Sequence, residues 1–234
     1  MSGQNPWALQ NFGRVDIKPE EFDRFIYQKG ANVTWEKSIL CSCINETTGQ
    51  ADFGCPACGG KGYYYFDPTS IRAAVTGITG DKNQIPIGLV DVGTSYMTTR
   101  AESLVGFRDR ITFEDFTTAY SQILDYDVDG VKLKYPCMNL VALMILGEKV
   151  PENLITLSDD KQTLFIDQSY GLKQGERLSI LYHIKPRYVV IDVPHELRGQ
   201  FIKFGQPEEK WEILPRQFVI KREDLLPLQR GELI

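Results

Sequence analysis

Apolar residues in this chain come in short runs that alternate with polar ones and break every few positions at glycine or at clusters of turn residues. That is the rhythm of strands and hairpins. Residues 71–75 and 87–92 are two such runs, punctuated by Gly77, Gly80 and Gly93. In 106–113 a turn feeds a strand on which Ile111 and Phe113 share a face, because side chains alternate across a strand. Further on, 131–146, 154–157, 163–166, 177–184 and 188–193 form a second β-rich region. The polar stretches 158–162 and 171–176 read as turns of antiparallel hairpins rather than as crossover helices. A helical pattern is confined to the beginning, where Pro19, Glu20 and Glu21 suit a first helical turn and Phe22 and Phe25 follow three apart. The pattern predicts a mainly β protein with few short helices, made of small β-barrel or sandwich modules plus a stapled loop.

Four segments follow from it. Residues 1–66 form an N-terminal segment with a cysteine-rich loop, 67–124 a small barrel-like module, and 125–198 an antiparallel β-rich module. Residues 199–234, with Pro207, Pro215 and Pro227, form an extended arm.

At 234 residues and 42% hydrophobic content the chain can bury a core of its own, so its five cysteines need not act as disulfide struts. Acids outnumber bases, 31 to 26, for a net charge of −5, which argues against a broad phosphate-neutralising surface. The first residues lack the basic start and apolar run of a secretory signal, and the longest apolar run, 140–146, is too short to cross a bilayer. The chain is therefore expected to remain in the cytosol without a membrane partner, which leaves the glycosylation sequences at Asn32 and Asn45 idle.

The sharpest chemical feature is Cys41-Ser42-Cys43 followed by Cys55-Pro56-Ala57-Cys58, two close thiol pairs able to converge from two turns. Four thiolates suit tetrahedral zinc, and Cys41, Cys43, Cys55 and Cys58 are the expected ligands of a structural zinc ion with no position left for substrate. Gly59, Gly60 and Gly62 permit a tight backbone that brings amide donors to the sulfurs. The one-residue spacer of the first pair is shorter than usual. Four free thiols, or disulfide or redox use, are the competing readings, the last disfavoured in a reducing compartment. Residues 55–62 fit CxxCxGxG and resemble one unit of the zinc-binding region of DnaJ-type chaperones; the unit occurs once here, so the resemblance implies geometry and not chaperone function.

Other chemistry-bearing residues read more plainly. Cys137 lies in an apolar run and is expected in a core. Neither His183 nor His195 has a local partner that marks a base, and His195-Glu196 lacks the second histidine of a helix-borne zinc protease motif. Asp125, Asp127, Asp129 and Gly130 imitate the start of a calcium loop, but Pro136 stands where a bidentate glutamate belongs, so a solvated acidic turn is expected. The aromatic run Tyr63-Tyr64-Tyr65-Phe66 reads first as alternating core and cover; as a functional surface it has only Lys61 and Arg72 as nearby bases in sequence, which favours a protein contact over base stacking. No catalytic constellation is predicted.

Trp35-Glu36-Lys37-Ser38, residues 41–64 and the stretch Tyr182-His183-Ile184-Lys185-Pro186-Arg187-Tyr188-Val189-Val190 together resemble the neck or head-tail connector proteins of tailed bacteriophages. That resemblance implies a non-enzymatic virion protein of head-completion or stopper type, assembled in the host bacterial cytoplasm. It would form a homo-oligomeric ring that touches portal-adaptor, neck or tail proteins and lets genomic DNA pass without sequence-specific binding. A baseplate or tail-end role and a zinc-ribbon nucleic-acid-binding module are the alternatives.

Overall fold

The computed structural model describes residues 19–77, 93–194, 199–202 and 210–226. Helix α1 (Pro19–Lys29) comes first, with Glu20 and Glu21 in its first turn and Lys29 in its last, each complementing the helix dipole. Ile26 is its fully buried contact with the rest of the molecule. Gly30 ends it by necessity: a Cβ there would stand 2.4 Å from the Ile26 carbonyl oxygen and 3.0 Å from that of Ala73.

Four strands follow: β1 (Ala31–Leu40), β2 (Tyr63–Gly77), β3 (Thr94–Thr99) and β4 (Arg110–Phe113). The chain then runs through β5 (Thr118–Asp125), β6 (Val131–Lys132), β7 (Asn139–Ile145), β8 (Glu148–Lys149), β9 (Ile155–Leu157), β10 (Thr163–Ile166) and β11 (Arg177–Ile184). It ends with β12 (Arg187–Asp192), β13 (Gly199–Ile202), β14 (Lys210–Ile213) and β15 (Gln217–Arg222). Strands β1, β2, β3, β15, β12 and β4, in that order, close into a barrel, each antiparallel to its neighbours. Val33, Trp35, Ala73, Met97, Ile111, Phe113, Val190, Phe218 and Ile220 fill it. Closure removes the free strand edges that invite aggregation.

The second unit is an insertion. After β4 the chain builds a four-stranded sheet, β5-β11-β7-β8, and a three-stranded sheet, β6-β10-β9. Their shared core holds Leu133, Tyr135, Cys137, Leu143, Leu164, Leu178, Ile180 and Tyr182. The chain then returns as β12 alongside the strand it left, Arg187 opposite Thr112, with the Phe113 N–H donating to the Pro186 carbonyl at 3.1 Å. Such adjacent ends let a unit be inserted without disturbing its host.

The mainly β expectation holds, but the linear segmentation does not. The barrel draws strands from 31–77, 94–113, 187–192 and 217–222, because closing it requires partners that the insertion separates in sequence. The expected arm from Gly199 onward is likewise corrected. β15 lies between β3 and β12 with Phe218 and Ile220 fully buried, while β13 and β14 form a separate two-stranded ribbon. The stretch 158–162 is a hairpin turn as expected, joining β9 to β10. The stretch 171–176 is not: it carries the chain between two different sheets. Ile111 and Phe113 do share the inward face. The runs at 1–18 and 87–92, residues 195–198 with His195, and the tail 227–234 lie outside the described residues.

Two polar sites lock these parts. Asp109, 5% exposed, accepts from Trp35 Nε1 at 2.7 Å, from the Ser38 N–H at 2.8 Å and from the Gly106 N–H at 2.7 Å, with Ser38 Oγ at 3.1 Å. Its own main-chain oxygen accepts from Val190 at 2.9 Å. At the barrel–insertion junction Glu114 accepts from Thr34 Oγ1 at 2.6 Å and from Lys185 Nζ, and Asp115 accepts from the Asn32 N–H at 2.8 Å and from Asn32 Nδ2. These donors hold both carboxyls below the usual range, chiefly Lys185 for Glu114 and the Asn32 backbone for Asp115.

Removing the Asp109 carboxylate strands several buried donors, so Asp109→Ala should cost about 3 kcal/mol, seen as a lower urea midpoint at unchanged slope, while Ser38→Ala costs about 1 kcal/mol. The junction carboxyls have depressed folded pKa values, so their contribution is complete above the unfolded value of about 4.3 and disappears as pH falls through the folded one. Urea midpoints should therefore drop on acidification below about pH 5, and Glu114→Gln should be weaker at neutral pH and lose less on acidification.

Candidate metal centre

The four cysteines sit at the tip of the β1–β2 hairpin. The ladder runs to Leu40 opposite Tyr63, and one further rung, Cys41 N–H to the Gly62 carbonyl at 2.8 Å, closes the base of the segment 41–62. Two turns then present the sulfurs. The first closes with the Ile44 N–H on the Cys41 carbonyl at 3.1 Å and offers Cys41 and Cys43. The second closes with the Gly59 N–H on the Cys55 carbonyl at 2.9 Å and offers Cys55 and Cys58. The connection between them is held by Asn45, whose side chain accepts from the N–H groups of Thr47 and Thr48 at 2.9 and 3.1 Å.

Cys41 Sγ lies 3.8 Å from Cys55 Sγ and Cys43 Sγ 3.6 Å from Cys58 Sγ, and all four sulfurs lie within 4.8 Å of one another. A disulfide needs about 2.05 Å, so these are four free thiols gathered around one point. They are close enough to hold a metal ion. Among the described residues no other cluster of histidine, cysteine and carboxylate side chains converges in this way.

The glycines do what their spacing predicts. Gly59, Gly60 and Gly62 take φ of 60°, 75° and 77°, a region costly to residues with a Cβ, and the Gly62 N–H points at Cys58 Sγ from 3.2 Å. A Cβ on Gly62 would stand 3.1 Å from that of Ala51, which packs beneath the turn. Tyr64, expected only as one of a run of aromatics, adds a donor to the cluster. Its hydroxyl, followed by the Cys43 backbone, lowers the Cys41 thiol to about 6, and the same contact pushes Tyr64 up to about 12. Burial is the first cause that raises Cys43 to about 12. The cluster thus favours negative charge on Cys41, where a hydroxyl meets it. Strand alternation was the available clue: Tyr64 faces the sulfurs while Tyr63 and Tyr65 do not.

Those two tyrosines meet cations that sequence proximity did not reveal. Arg108 sits 5.6 Å over Tyr63 and Arg110 4.2 Å over Tyr65, both brought in by β4 and its preceding turn. Arg110 is neutralised by a two-pronged pair with Glu36, both bonds 2.7 Å. Lys61, at the base of the cysteine knob, reaches Glu223 beyond β15 at 2.9 Å.

The remaining candidates lie apart. Cys137 is fully buried in the inserted unit, its thiol pushed up by burial, as a core residue should be. His183 lies on β11 between Ala119 and Asn139. The acidic stretch is an exposed turn in which Asp127 accepts the N–H of Asp129 at 3.1 Å. No protein-family model matches this chain, and comparison with curated proteins finds no match.

Because the knob is joined to the barrel by one ladder and the Lys61–Glu223 pair, its loss should stay local. Cys58→Ser and Gly62→Ala should each raise amide hydrogen exchange across 41–62, while exchange in β3, β12 and β15 changes little.

Proposed function

We propose that the cysteine knob holds one structural zinc ion and that the protein is a non-enzymatic part of a tailed-phage neck, a subunit of the ring that closes the DNA channel and receives the tail. The carrying observation for the metal is the spacing of the sulfurs. Zn–S bonds of about 2.3 Å at tetrahedral angles give S–S edges of about 3.8 Å, against 3.6 and 3.8 Å here. With four protein ligands the ion has no open position, so its work is to fix a protruding hairpin tip.

For the neck reading, support comes from the resemblance carried by Trp35–Ser38, the cysteine segment and the stretch 182–190, which fall on β1, the knob and β11–β12. A closed barrel with a tied insertion and a stapled tip suits a subunit that repeats one heterologous contact around a ring. An acidic chain repeated around a channel would also discourage DNA from sticking. Arginines over Tyr63 and Tyr65 favour a second reading, a nucleic-acid-binding module, but Arg110 is already paired with Glu36.

Metal analysis of untagged protein should find about one zinc per chain, lost in Cys43→Ser; protein with none would remove the staple. Phage particles lacking this chain should show filled heads that leak DNA and carry no tails. Attached tails with defective tips would instead indicate a baseplate part, and steeply salt-dependent DNA binding by the purified chain would favour the nucleic-acid module.

A further inference from the structure

The turn before β4 breaks a local rule. Arg108 takes φ 70°, a left-handed conformation that arginine seldom adopts and that asparagine and aspartate tolerate better. The turn is locked around it. Asp109 holds the Gly106 N–H at 2.7 Å, Arg108 N–H donates to the Val190 carbonyl at 2.9 Å, and Ser38 Oγ donates to the Phe107 carbonyl at 3.3 Å.

The result is a fixed guanidinium 5.0 Å from the Phe107 ring and 5.6 Å from that of Tyr63, with Nε buried and without a hydrogen-bond partner among the described residues. Its neighbours Arg110 and Lys61 are both neutralised by carboxylates, and Phe107 is 55% exposed. One cation without an ion pair among the described residues, beside an exposed aromatic, is too little charge for a phosphate backbone, but it is the composition of a protein-binding anchor.

The chain carries a complement. In the exposed turn after β5, Val128 is 54% exposed and stands between the exposed carboxylates of Asp127 and Asp129. Resting on the ring reading above, we propose that the Phe107–Arg108–Tyr63 anchor of one copy receives the Asp127–Val128–Asp129 turn of a second copy. Acid meets guanidinium, and Val128 meets Phe107. Anchor and turn are different surfaces, so the contact is head-to-tail and repeats until the ring closes. Stored backbone strain at Arg108 is then the cost of holding the guanidinium in its binding pose.

Sedimentation velocity of the purified full chain tests this across the micromolar range. Wild type should form a discrete oligomer. Arg108→Asp, which suits the left-handed turn and keeps its backbone hydrogen bonds, should fold, as its unfolding midpoint checks, and should weaken association at least about tenfold. Asp129→Arg should do the same, and the double swap should restore most of the loss. Phe107→Ser, on an exposed side chain, should also weaken association and stands in should Arg108→Asp misfold. A wild-type oligomer that ignores all three single changes, or a swap that restores nothing, would overturn the contact while leaving the ring reading intact. A monomeric wild type would remove both. Loss of oligonucleotide binding in Arg108→Asp with assembly untouched would give the anchor to nucleic acid instead.

Discussion

The buried carboxylate of Asp109 is the point at which barrel, hairpin and anchor turn meet. Strand β1 pairs with both β2 and β4 from Val33 to Trp35; Glu36 pairs with β4 alone, at the bulge that shifts the β1–β2 register between Trp35 and Lys37, and beyond it β4 has ended. The Ser38 N–H would be left without a strand partner on that side, and Asp109 accepts it. The same carboxylate anchors the indole of Trp35 inside the barrel and the turn that displays Phe107 and Arg108. A charged acceptor that satisfies this many donors at low exposure is worth more than its bonds counted singly, because no water can replace it.

That anchoring gives the β1–β2 ribbon a stiff root, and stiffness is what a protruding tip needs. Beyond Ser38 the ribbon is a two-stranded hairpin, marginal by itself in water. The cysteine cluster closes its far end, Lys61 ties its base to Glu223, and Arg110 with Glu36 lies under Tyr65 along its side. The tip is therefore held by local bonds while the barrel is held by apolar packing, so the two can fail independently. The inserted unit has its own separate core, and its two ends are tied to the barrel by Glu114, Asp115 and the Phe113–Pro186 bond.

Much of this was legible in the sequence. Strand alternation placed Ile111 and Phe113 on one face, Pro19 with its following acids marked the start of α1, and the cysteine pairs with their glycines gave both the cluster and the N–H···S bond at Cys58. These features are local: a period, a cap or a turn glycine is set within a few residues and needs no partner far along the chain.

Pairing across the insertion was not legible. β12 and β15 belong to the barrel although more than half the chain separates them from β1, since the identity of a strand's neighbour depends on which closure buries the most apolar surface. For the same reason proline spacing suggested an arm where a core strand lies, and sequence proximity missed Arg108 and Arg110 beside the tyrosines. Local chemistry along the chain determined the β-rich character of the inserted unit, the start of the helix, and the knob with its sulfurs. Only tertiary closure decided which strands share a barrel and which charges meet, because both follow from contacts between residues far apart in sequence.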